Sequence, residues 1–465
     1  MDTQNRFDLK LKLRSLGPLH FLGALGTGMF PLASMCHQLG ADVSGSDLAA
    51  TDDQIAFPVA MDGSPGADEY IARSKCLVIS SAVSKDHPAL RKAQASGIRV
   101  MHRSEILALF SAGFKSIAVA GTHGKSTTSA LITHILRFAG ISPSWIIGAP
   151  FADGLPSFGL GESEFLVLEA DESDGTFLRY SPHIAIVTNI DPDHLDHYGD
   201  FNSLVNAFRK FCQLVNKDGR AVVWGDSGVC RDVSRDVTDV VTFGEATDAD
   251  FCVSKWAPIE LSATANLTYK NQVTSFRLPL TGKHNVLNAS AAVAAAVSCG
   301  VPVSIALESL SVFPGVYRRM QRYKCENPGA FVFDDYAHNP GKILGCLSGL
   351  RRAFPERRLI AVFQPHRYSR VSSLYAEFVG SFNVENLVVV TLPVYSAGEA
   401  ALPGFGESRV ASDIRAHSGC ETFSAGTLKE AADLVKSIVK PDSDVVVTLG
   451  AGNVWQVARD ISRDL

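Results

Sequence analysis

The sequence predicts an α/β protein built from several domains. The chain has 465 residues, and at roughly 150 residues per domain this length allows about three domains. Short apolar segments of strand length alternate with segments of helix length, which is typical of parallel sheets covered by helices. Hydrophobic residues make up 46% and charged residues 20% of the chain, as in folded globular proteins. We therefore expect α/β domains over residues 1–114, 115–318 and 319–465.

Charge and cysteine content exclude several classes of protein. There are 43 Lys and Arg against 48 Asp and Glu, a net charge of −5, whereas a nucleic-acid surface would need a basic excess. The nine cysteines contain no C-x-x-C pair, so neither a disulfide framework nor a zinc ribbon is predicted. Residues 1–17 lack the apolar core of an export signal, and the apolar stretch Leu287–Leu307 is interrupted by Gly300 and Pro302. We expect a cytoplasmic protein without nucleic-acid or membrane partners.

The first block is predicted from apolar runs that alternate with helical spacing. Ala49–Ala67 is rich in Asp, Gly, Pro and Ala, so we predict a loop there. A parallel sheet is expected, because each strand-length run is followed by a helical pattern. The predicted strands are Leu19–Leu25, Ala41–Ser46, Cys76–Ser80 and Ile98–His102, and Gly28–Leu39 is a predicted helix.

The second block combines buried strands with an alternating region. Between Phe251 and Leu280 apolar and polar residues alternate, which predicts antiparallel hairpins at the edge of this block. The other predicted strands are Lys115–Ala120, Phe165–Glu169, Ile184–Thr188 and Ala221–Trp224, and the predicted helices are Gly124–Ala139 and Asn285–Cys299.

The third block is predicted to be another open α/β sheet, because apolar runs are again interleaved with amphipathic segments. Its predicted strands are Ala330–Phe333, Leu359–Phe363, Leu387–Thr391 and Val445–Leu449, and its predicted helices are Lys342–Phe354 and Leu428–Val439.

A glycine-rich turn between a predicted strand and a predicted helix is the strongest single motif. It begins at Gly121 with Gly-Thr-His-Gly-Lys-Ser-Thr-Thr. Such a turn points backbone N–H groups at a polyphosphate, and the helix N-terminus adds its dipole. Lys125 can reach the β- and γ-phosphates, and Ser126 can bind Mg²⁺. The pattern G-x-x-x-x-G-K-[ST] is incomplete because Val119 stands at its first glycine, so an ordinary glycine turn with a solvated lysine is the alternative.

Two acidic clusters follow predicted strands of the same block. One is Glu169-Ala-Asp-Glu-Ser-Asp, and the other is Asp191-Pro-Asp-His-Leu-Asp-His. Carboxylates at adjacent strand ends opposite a phosphate loop can hold Mg²⁺ against ATP and a second substrate. His194 and His197 also suggest zinc, but aspartates without cysteine favour the harder cation. Solvated, turn-forming aspartates are the alternative for each cluster.

Polar residues also follow strands of the first and third blocks. Gly23-Ala-Leu-Gly-Thr-Gly and Asp47 have the character of a dinucleotide or nucleotide-sugar site, although the glycines do not match G-x-G-x-x-G. In the third block, Gln364-Pro-His-Arg-Tyr-Ser-Arg and Asp334-Asp-Tyr-Ala-His-Asn-Pro bring arginines and histidines to strand ends. Since Arg binds carboxylates through two parallel hydrogen bonds, a carboxylate site is predicted. A cationic helix start is the alternative.

Taken in order, these motifs resemble those of the Mur ligase family. The resemblance extends from about His20 to the C-terminus. Within the family, the chain is most similar to the ligases that add L-alanine to UDP-N-acetylmuramate. The matching segments begin at Gly121, Glu169, Thr188, Gly282, Asp334 and Gln364.

The resemblance implies a fold, a reaction and its partners. The implied fold is an N-terminal Rossmann-like domain, a central P-loop ATPase-like domain with a mixed sheet, and a C-terminal Rossmann-like domain. The implied reaction is ATP- and Mg²⁺-dependent: the lactyl carboxylate of UDP-N-acetylmuramate becomes an acyl phosphate, and the amine of a small amino acid captures it. A monomer or weak homodimer is expected.

The resemblance also implies site residues. Lys125, Glu169, His194, Arg319 and His338 are the expected catalytic residues, and Ser126, Glu169 and His194 are the expected metal ligands. ATP is expected at Gly121, Thr122, His123, Gly124, Lys125, Ser126, Thr127, His284, Asn285, Asn288 and Asp335. The UDP-sugar is expected at Gly26, Thr27, Gly28, Asp47 and Ser80. The amino acid is expected at Tyr336, His338, His366, Arg367 and Arg370.

Departures from the family pattern leave alternatives open. Asn339-Pro340-Gly341 stands where His-Pro-Thr is typical of alanine-adding ligases, and it resembles later-acting Mur ligases and folylpolyglutamate synthases. A different amino acid or a peptide is therefore an alternative substrate. Leu25 stands where a glycine is usual, and Lys210 is a candidate for the carbamylated lysine of some relatives.

Other classes of function predict different behaviour. A P-loop nucleotide switch would hydrolyse ATP without an acid or an amine. An NAD-binding oxidoreductase would use Gly23–Gly28 with Asp47 and would not need Lys125. An inactive scaffold would have lost Lys125, Glu169 or His194, and all are present.

Overall fold

The computed structural model describes residues 2–50, 56–259 and 261–465. Over these ranges it contains three β-sheets with helices between their strands, which confirms the predicted α/β class. By its internal contacts the chain divides into two compact units: residues 1–257, 263–279 and 283–314 form one, and residues 258–262, 280–282 and 315–465 form the other. We propose 1–114, 115–318 and 319–465 as domain bounds, because each range contains most or all of one sheet.

The first sheet is parallel and has the strand order β3-β2-β1-β4-β5 among the described residues. This arrangement confirms the Rossmann-like prediction, because β2 and β3 lie on one side of β1 while β4 and β5 lie on its other side. The strands are β1 (Leu19–Leu22), β2 (Val43–Asp47), β3 (Val59–Met61), β4 (Cys76–Ile79) and β5 (Arg99–His102), and the helices are α1 (Asp2–Ser15), α2 (Phe30–Gln38), α3 (Pro65–Arg73), α4 (Pro88–Ala95) and α5 (Arg103–Gly113).

The loop predicted over Ala49–Ala67 is wrong in its second half. Strand β3 pairs with β2 at the sheet edge, and α3 begins at Pro65 with Ser64 as its N-cap, whose hydroxyl accepts from the Ala67 N–H at 3.2 Å. A strand of three residues on an exposed edge is too short to show a periodic pattern. Residues 51–55 of that prediction lie outside the described residues.

The second sheet is mixed, with the strand order β15-β14-β13-β12-β11-β10-β6-β9-β7-β8 among the described residues. Its central strands are parallel, while β14 with β15 and β7 with β8 are antiparallel, which confirms the predicted mixed sheet and edge hairpin. The strands are β6 (Lys115–Ala120), β7 (Ser144–Ile146), β8 (Phe158–Gly159), β9 (Phe165–Glu169), β10 (Ile184–Val187), β11 (Arg220–Trp224), β12 (Val240–Gly244), β13 (Phe251–Ile259), β14 (Ser262–Tyr269) and β15 (Gln272–Leu278). The helices are α6 (Lys125–Phe138), α7 (Leu195–Tyr198), α8 (Phe201–Gln213), α9 (Gly228–Ser234), α10 (Lys283–Ser298) and α11 (Val303–Leu310), with a 3₁₀ turn at Thr176–Arg179.

The third sheet has the order β16-β17-β21-β18-β19-β20 among the described residues, and only β16 is antiparallel to its neighbour. It confirms the predicted second open α/β sheet. The strands are β16 (Gln321–Tyr323), β17 (Phe331–Asp335), β18 (Arg358–Phe363), β19 (Leu387–Thr391), β20 (Glu421–Ser424) and β21 (Asp444–Leu449), and the helices are α12 (Pro340–Ala353), α13 (Tyr368–Ser373), α14 (Tyr375–Gly380), α15 (Glu407–Ser418), α16 (Leu428–Ile438) and α17 (Trp455–Ser462).

The central parallel strands are buried on both faces. Strand β10 is buried along its whole length, as is β6 after Lys115, which explains why their sequences are continuous apolar runs rather than alternating ones. Helix α10 is rich in buried alanine and packs beside α6, because small side chains allow the two helix backbones to approach closely. Among the helices described, none combines the length and the apolar character needed to cross a bilayer.

A buried histidine stabilises the first sheet. His20 on β1 is fully buried, and its Nδ1 and Nε2 each lie 3.0 Å from a hydroxyl of β2, those of Ser44 and Ser46. Burial lowers the pKa of His20 to about 4, so the ring is neutral in the folded protein near neutral pH.

We predict that His20 makes folding sensitive to acid. In the unfolded chain His20 takes up a proton near pH 6.5, whereas in the folded chain it does so only near pH 4. The free energy of unfolding should therefore fall by about 3 kcal/mol as the pH falls from 6.5 to about 4. Urea denaturation of the wild type and of His20→Asn at several pH values measures the contribution. The variant should lose less stability with acid than the wild type does. Identical pH dependence in the two proteins would contradict the assignment.

Candidate functional site

Three neighbouring parallel strands bring the predicted motifs together. The order β10-β6-β9 places their carboxyl ends side by side. The glycine-rich turn follows β6, the first acidic cluster follows β9, and the second follows β10. In open α/β sheets this edge is where ligands bind, so the topology assembles the candidate site.

The glycine-rich turn has the backbone of a phosphate loop. Gly124 has φ +83°, and α6 begins immediately after it at Lys125. A Cβ atom at Gly124 would lie 2.5 Å from Oδ1 of Asn288 on α10, so only glycine fits between the turn and this buried amide. The helix N-terminus therefore opens directly from the turn, which is the arrangement that binds anions. Ser126 is buried in the first turn of α6, and Thr127 is half-buried beside it.

The loop after β10 is hydrogen-bonded to the glycine-rich turn. Asn189 accepts from the His123 N–H through Oδ1 at 2.9 Å and donates from Nδ2 to the His123 carbonyl, also at 2.9 Å. The Thr122 hydroxyl accepts from the Asp191 N–H at 2.9 Å. These side-chain bonds fix the turn without using the N–H groups at the start of α6.

Lys125 is held by a carboxylate that the sequence motifs did not single out. Its Nζ lies 2.8 and 3.0 Å from the two oxygens of Glu172 and donates to the Gly121 carbonyl at 2.7 Å. The side chain of Glu172 is 1% exposed and that of Lys125 is 14% exposed. Burial lowers the pKa of Lys125, but the charges of Glu172, Asp171 and Glu169 outweigh it and raise the pKa above its ordinary value, so the ammonium stays protonated.

Glu169 and His194, two of the expected metal ligands, contact different groups. Glu169, at the end of β9, accepts from the Gly148 N–H at 2.8 Å. His194 has φ +54°, and its Nε2 lies 3.8 Å from Oε1 of Glu172 and 3.9 Å from Oδ2 of Asp193. Throughout the described ranges, no three His, Cys, Asp or Glu side chains converge to hold an ion by themselves. Lys210 lies exposed on α8.

The start of α10 lies beside the phosphate loop. Asn288 is buried and its Nδ2 lies 3.4 Å from Oδ1 of Asn285, one turn earlier. His284 is exposed in the first turn of the helix. The structure thus brings Asn288 to the loop directly and Asn285 through Asn288.

The candidate sugar site is tied to the acidic cluster by hydrogen bonds. Asp47 accepts from the Leu25 N–H at 2.9 Å, so its carboxylate fastens the turn that contains Gly26, Thr27 and Gly28. Ser80 is half-buried just beyond β4, and the next residue, Ser81, donates to Oδ2 of Asp174 at 2.7 Å. The end of β4 therefore contacts the cluster that follows β9.

Arg103 joins this region although the sequence motifs did not include it. Its Nη1 would lie 2.8 Å from a Cβ atom at Gly28, which puts a guanidinium against the glycine turn. Arg103 begins α5, far along the chain from Gly28, so only the folded sheet reveals their proximity.

The third sheet gathers the residues predicted to bind an amino acid. Nδ1 of His338 lies 2.7 Å from the Tyr336 carbonyl oxygen, and the ring centroids of His338 and His366 are 6.2 Å apart. Arg370 donates from Nη1 to Nδ1 of His366 at 3.2 Å. Nη1 of Arg367 lies 3.7 Å from Oε1 of Glu399.

The electrostatics of this cluster follow from burial. Burial, with the charge of Lys342, lowers the pKa of His338 to about 3. Burial, with the charges of Arg370 and Arg367, lowers the pKa of His366 to about 4. Both rings are neutral near neutral pH, so the positive charge of the cluster resides on its arginines.

Arg319 and Asp335 occupy the same end of the third sheet. The guanidinium of Arg319 lies 5.3 Å from the centre of the Tyr336 ring, and Oδ2 of Asp335 accepts from the Met320 N–H at 2.8 Å. The neighbouring Arg318 is buried and donates to Oδ2 of Asp334 at 2.9 Å. Within this unit Arg318 is the structural arginine and Arg319 the more accessible one.

Glu172, Arg103 and Glu399 contact predicted site residues although the sequence motifs did not identify them. Glu172 was visible inside the acidic motif, but nothing in the sequence showed that it, and not Glu169, contacts Lys125. Arg103 and Glu399 have no local motif and reach their partners through the fold.

Three protein-family models match most of the chain. Residues 18–115 match the model described as Mur ligase family, catalytic domain, residues 119–296 match the Mur ligase middle domain, and residues 318–452 match the Mur ligase, glutamate ligase domain.

Comparison with individual proteins gives the same result. The chain is 37% identical to the UDP-N-acetylmuramate–L-alanine ligase of Methylobacterium sp. (strain 4-46), covering 97% of each chain. It is 38% identical to that of Laribacter hongkongensis, covering 96% of this chain and 97% of the relative. The crystal structure of the UDP-N-acetylmuramate–alanine ligase of Thermotoga maritima matches with a TM-score of 0.79 at 26% identity, over 96% of this chain and 98% of that one. The chain belongs to the Mur ligase family, as its ordered motifs predicted.

Proposed function

We propose that the protein is an ATP-dependent, ADP-forming ligase that joins L-alanine to the lactyl carboxylate of UDP-N-acetylmuramate. Curated relatives of that name match the chain at 36–38% identity over almost its whole length. The structural observation that carries the proposal is the buried ammonium of Lys125, set in a glycine turn at the carboxyl ends of parallel strands. We propose that the reaction takes place in the cytoplasm, because it consumes ATP and a UDP-sugar.

The chemistry consists of phosphoryl transfer followed by acyl transfer. A carboxylate oxygen attacks the γ-phosphorus as the bond to the β–γ bridging oxygen breaks, giving an acyl phosphate and ADP. The amine then attacks the acyl carbon, loses a proton, and expels inorganic phosphate as the amide forms. Such steps depend mainly on positioning and on neutralising charge. Lys125 and the N–H groups at the start of α6 supply the positive potential for the phosphates.

The side chains at this site suit a magnesium ion that is bound partly by the protein and partly by substrate phosphates. Carboxylates of Glu169, Asp171 and Glu172 lie close enough to Lys125 to raise its pKa, and hard oxygen ligands suit Mg²⁺, which commonly binds through one or two carboxylates plus substrate phosphates. We propose that Ser126, Glu169 and His194 hold it. When bound, the ion would neutralise charge on the phosphates.

We propose that the sugar nucleotide binds at the strand ends of the first sheet and the amino acid at the strand ends of the third sheet. The diphosphate of the sugar nucleotide would meet Gly26, Thr27 and Gly28, with Asp47 and Ser80 nearby. The carboxylate of the amino acid would meet Arg370, whose Nη1 already bonds to His366. Tyr336, His338 and Arg367 complete this proposed amino-acid site.

An ADP-release assay tests the proposed function. With ATP, Mg²⁺ and UDP-N-acetylmuramate, we expect ADP only when an amino acid is added, with L-alanine giving a higher kcat/KM than glycine or L-serine. A tripeptide in the same panel tests the alternative raised by Asn339-Pro340. ADP formation without any acceptor would indicate a nucleotide switch and contradict the proposal.

We predict that Glu172→Gln destabilises the ligand-free protein and makes its melting temperature depend more strongly on bound nucleotide. Removing the carboxylate leaves the Lys125 charge largely buried without its ion-pair partner, which should cost about 3 kcal/mol of unfolding free energy. Mg²⁺–ADP should then raise the melting temperature of the variant more than that of the wild type, because phosphate restores a counter-charge.

Glu164→Gln provides the matched control. Glu164 pairs with Lys115 on the same sheet at 2.7 Å, but this pair is more exposed, so its loss should cost less than about 1 kcal/mol. Its thermal response to Mg²⁺–ADP should equal that of the wild type. An equal response in Glu172→Gln would show that Glu172 does not hold Lys125 at the phosphate site.

A further inference from the structure

An aromatic ring beside the proposed amino-acid site belongs to none of the sequence motifs. Tyr395 follows β19, and its ring stacks on the imidazole of His366 with centroids 5.7 Å apart and planes 12° apart. Tyr395 is 40% exposed, so part of the ring remains accessible to a small molecule. It therefore forms one surface of the cluster that contains His366 and Arg370.

The backbone fixes Tyr395 to the arginine–histidine motif. Its N–H donates to the Pro365 carbonyl at 2.9 Å, and its carbonyl accepts from the Arg367 N–H at 3.2 Å. His366 and Tyr395 form a parallel bridge through these bonds. The position of the ring is therefore set by the same segment that presents Arg370.

The backbone at Gly452 packs closely against the Tyr395 ring. A Cβ atom at Gly452 would lie 2.6 and 2.8 Å from Cγ and Cδ2 of Tyr395 and would also clash with Oε1 of Gln364. The Gly452 carbonyl is itself held by Nη1 of Arg318 at 2.7 Å. The Tyr395 ring thus packs against both His366 and the loop that contains Gly452.

We infer that Tyr395 limits the size of the amino-acid side chain that the enzyme accepts. The inference rests on the proposed function and concerns its substrate class. An amino acid bound by its carboxylate to Arg370 lies next to His366, since these two side chains are in hydrogen-bond contact at 3.2 Å. Because the Tyr395 ring covers His366 and packs against Gly452, a methyl or hydroxymethyl group fits and a branched side chain meets the ring.

The test compares small and branched amino acids in wild type and variants. In the ADP-release assay with UDP-N-acetylmuramate, kcat/KM is measured for L-alanine and L-valine. Tyr395→Ala should reduce the alanine-to-valine ratio of kcat/KM at least tenfold, since even one methylene in a pocket is worth roughly 10–200-fold in discrimination. Tyr395→Phe, which keeps the ring, should keep the wild-type ratio.

Further measurements make each outcome decisive. Tyr395→Leu keeps an apolar group against His366 and Gly452, so it should fold even if Tyr395→Ala fails to fold. It should also reduce the alanine-to-valine ratio of kcat/KM. The KM for ATP should stay within twofold of wild type in all variants. An unchanged ratio in a folded, active Tyr395→Ala or Tyr395→Leu would overturn the inference while leaving the proposed function intact. A wild type that makes no ADP with any amino acid would overturn the proposed function and the inference with it.

Discussion

The candidate catalytic site depends on the ion pair between Lys125 and Glu172. An ammonium at the start of a helix would be strongly unfavourable in a largely buried position without a counter-charge. Glu172 supplies that charge with both of its oxygens at 2.8–3.0 Å from Nζ. The pair keeps the lysine protonated and oriented, and it leaves a site where phosphate oxygens can compete for the same ammonium.

Parallel topology explains how distant segments reach that ion pair. Residues separated by dozens of positions meet because β6, β9 and β10 are neighbours and end at the same edge. Asn189 from one strand end and Asn288 from α10 then fix the turn that presents Lys125. The Ser81–Asp174 bond extends the polar network to the strand ends of the first sheet. The positions of the motifs are thus consequences of strand order, and their chemistry is a consequence of burial.

The sequence was sufficient for the fold class, for the central strands and for the order of the motifs. Strands such as β6 and β10 are continuous apolar runs because both faces are covered, and such runs are visible without a structure. The edge strand β3 was not predicted, since three half-exposed residues carry no periodic pattern. For the site, the residue types were predictable but their pairings were not: the Glu172–Lys125 contact and the Tyr395–His366 stack arise from tertiary packing between segments far apart in sequence.

The location of bound nucleotide tests the central claim most directly. A crystal structure with Mg²⁺ and a non-hydrolysable ATP analogue should show the β- and γ-phosphates at the N-terminus of α6, with the ammonium of Lys125 bonded to phosphate oxygen. The Glu172 carboxylate should remain within about 4 Å of Nζ, the range of an ion pair. Phosphates bound elsewhere, with the Lys125–Glu172 pair undisturbed, would contradict this account of the site.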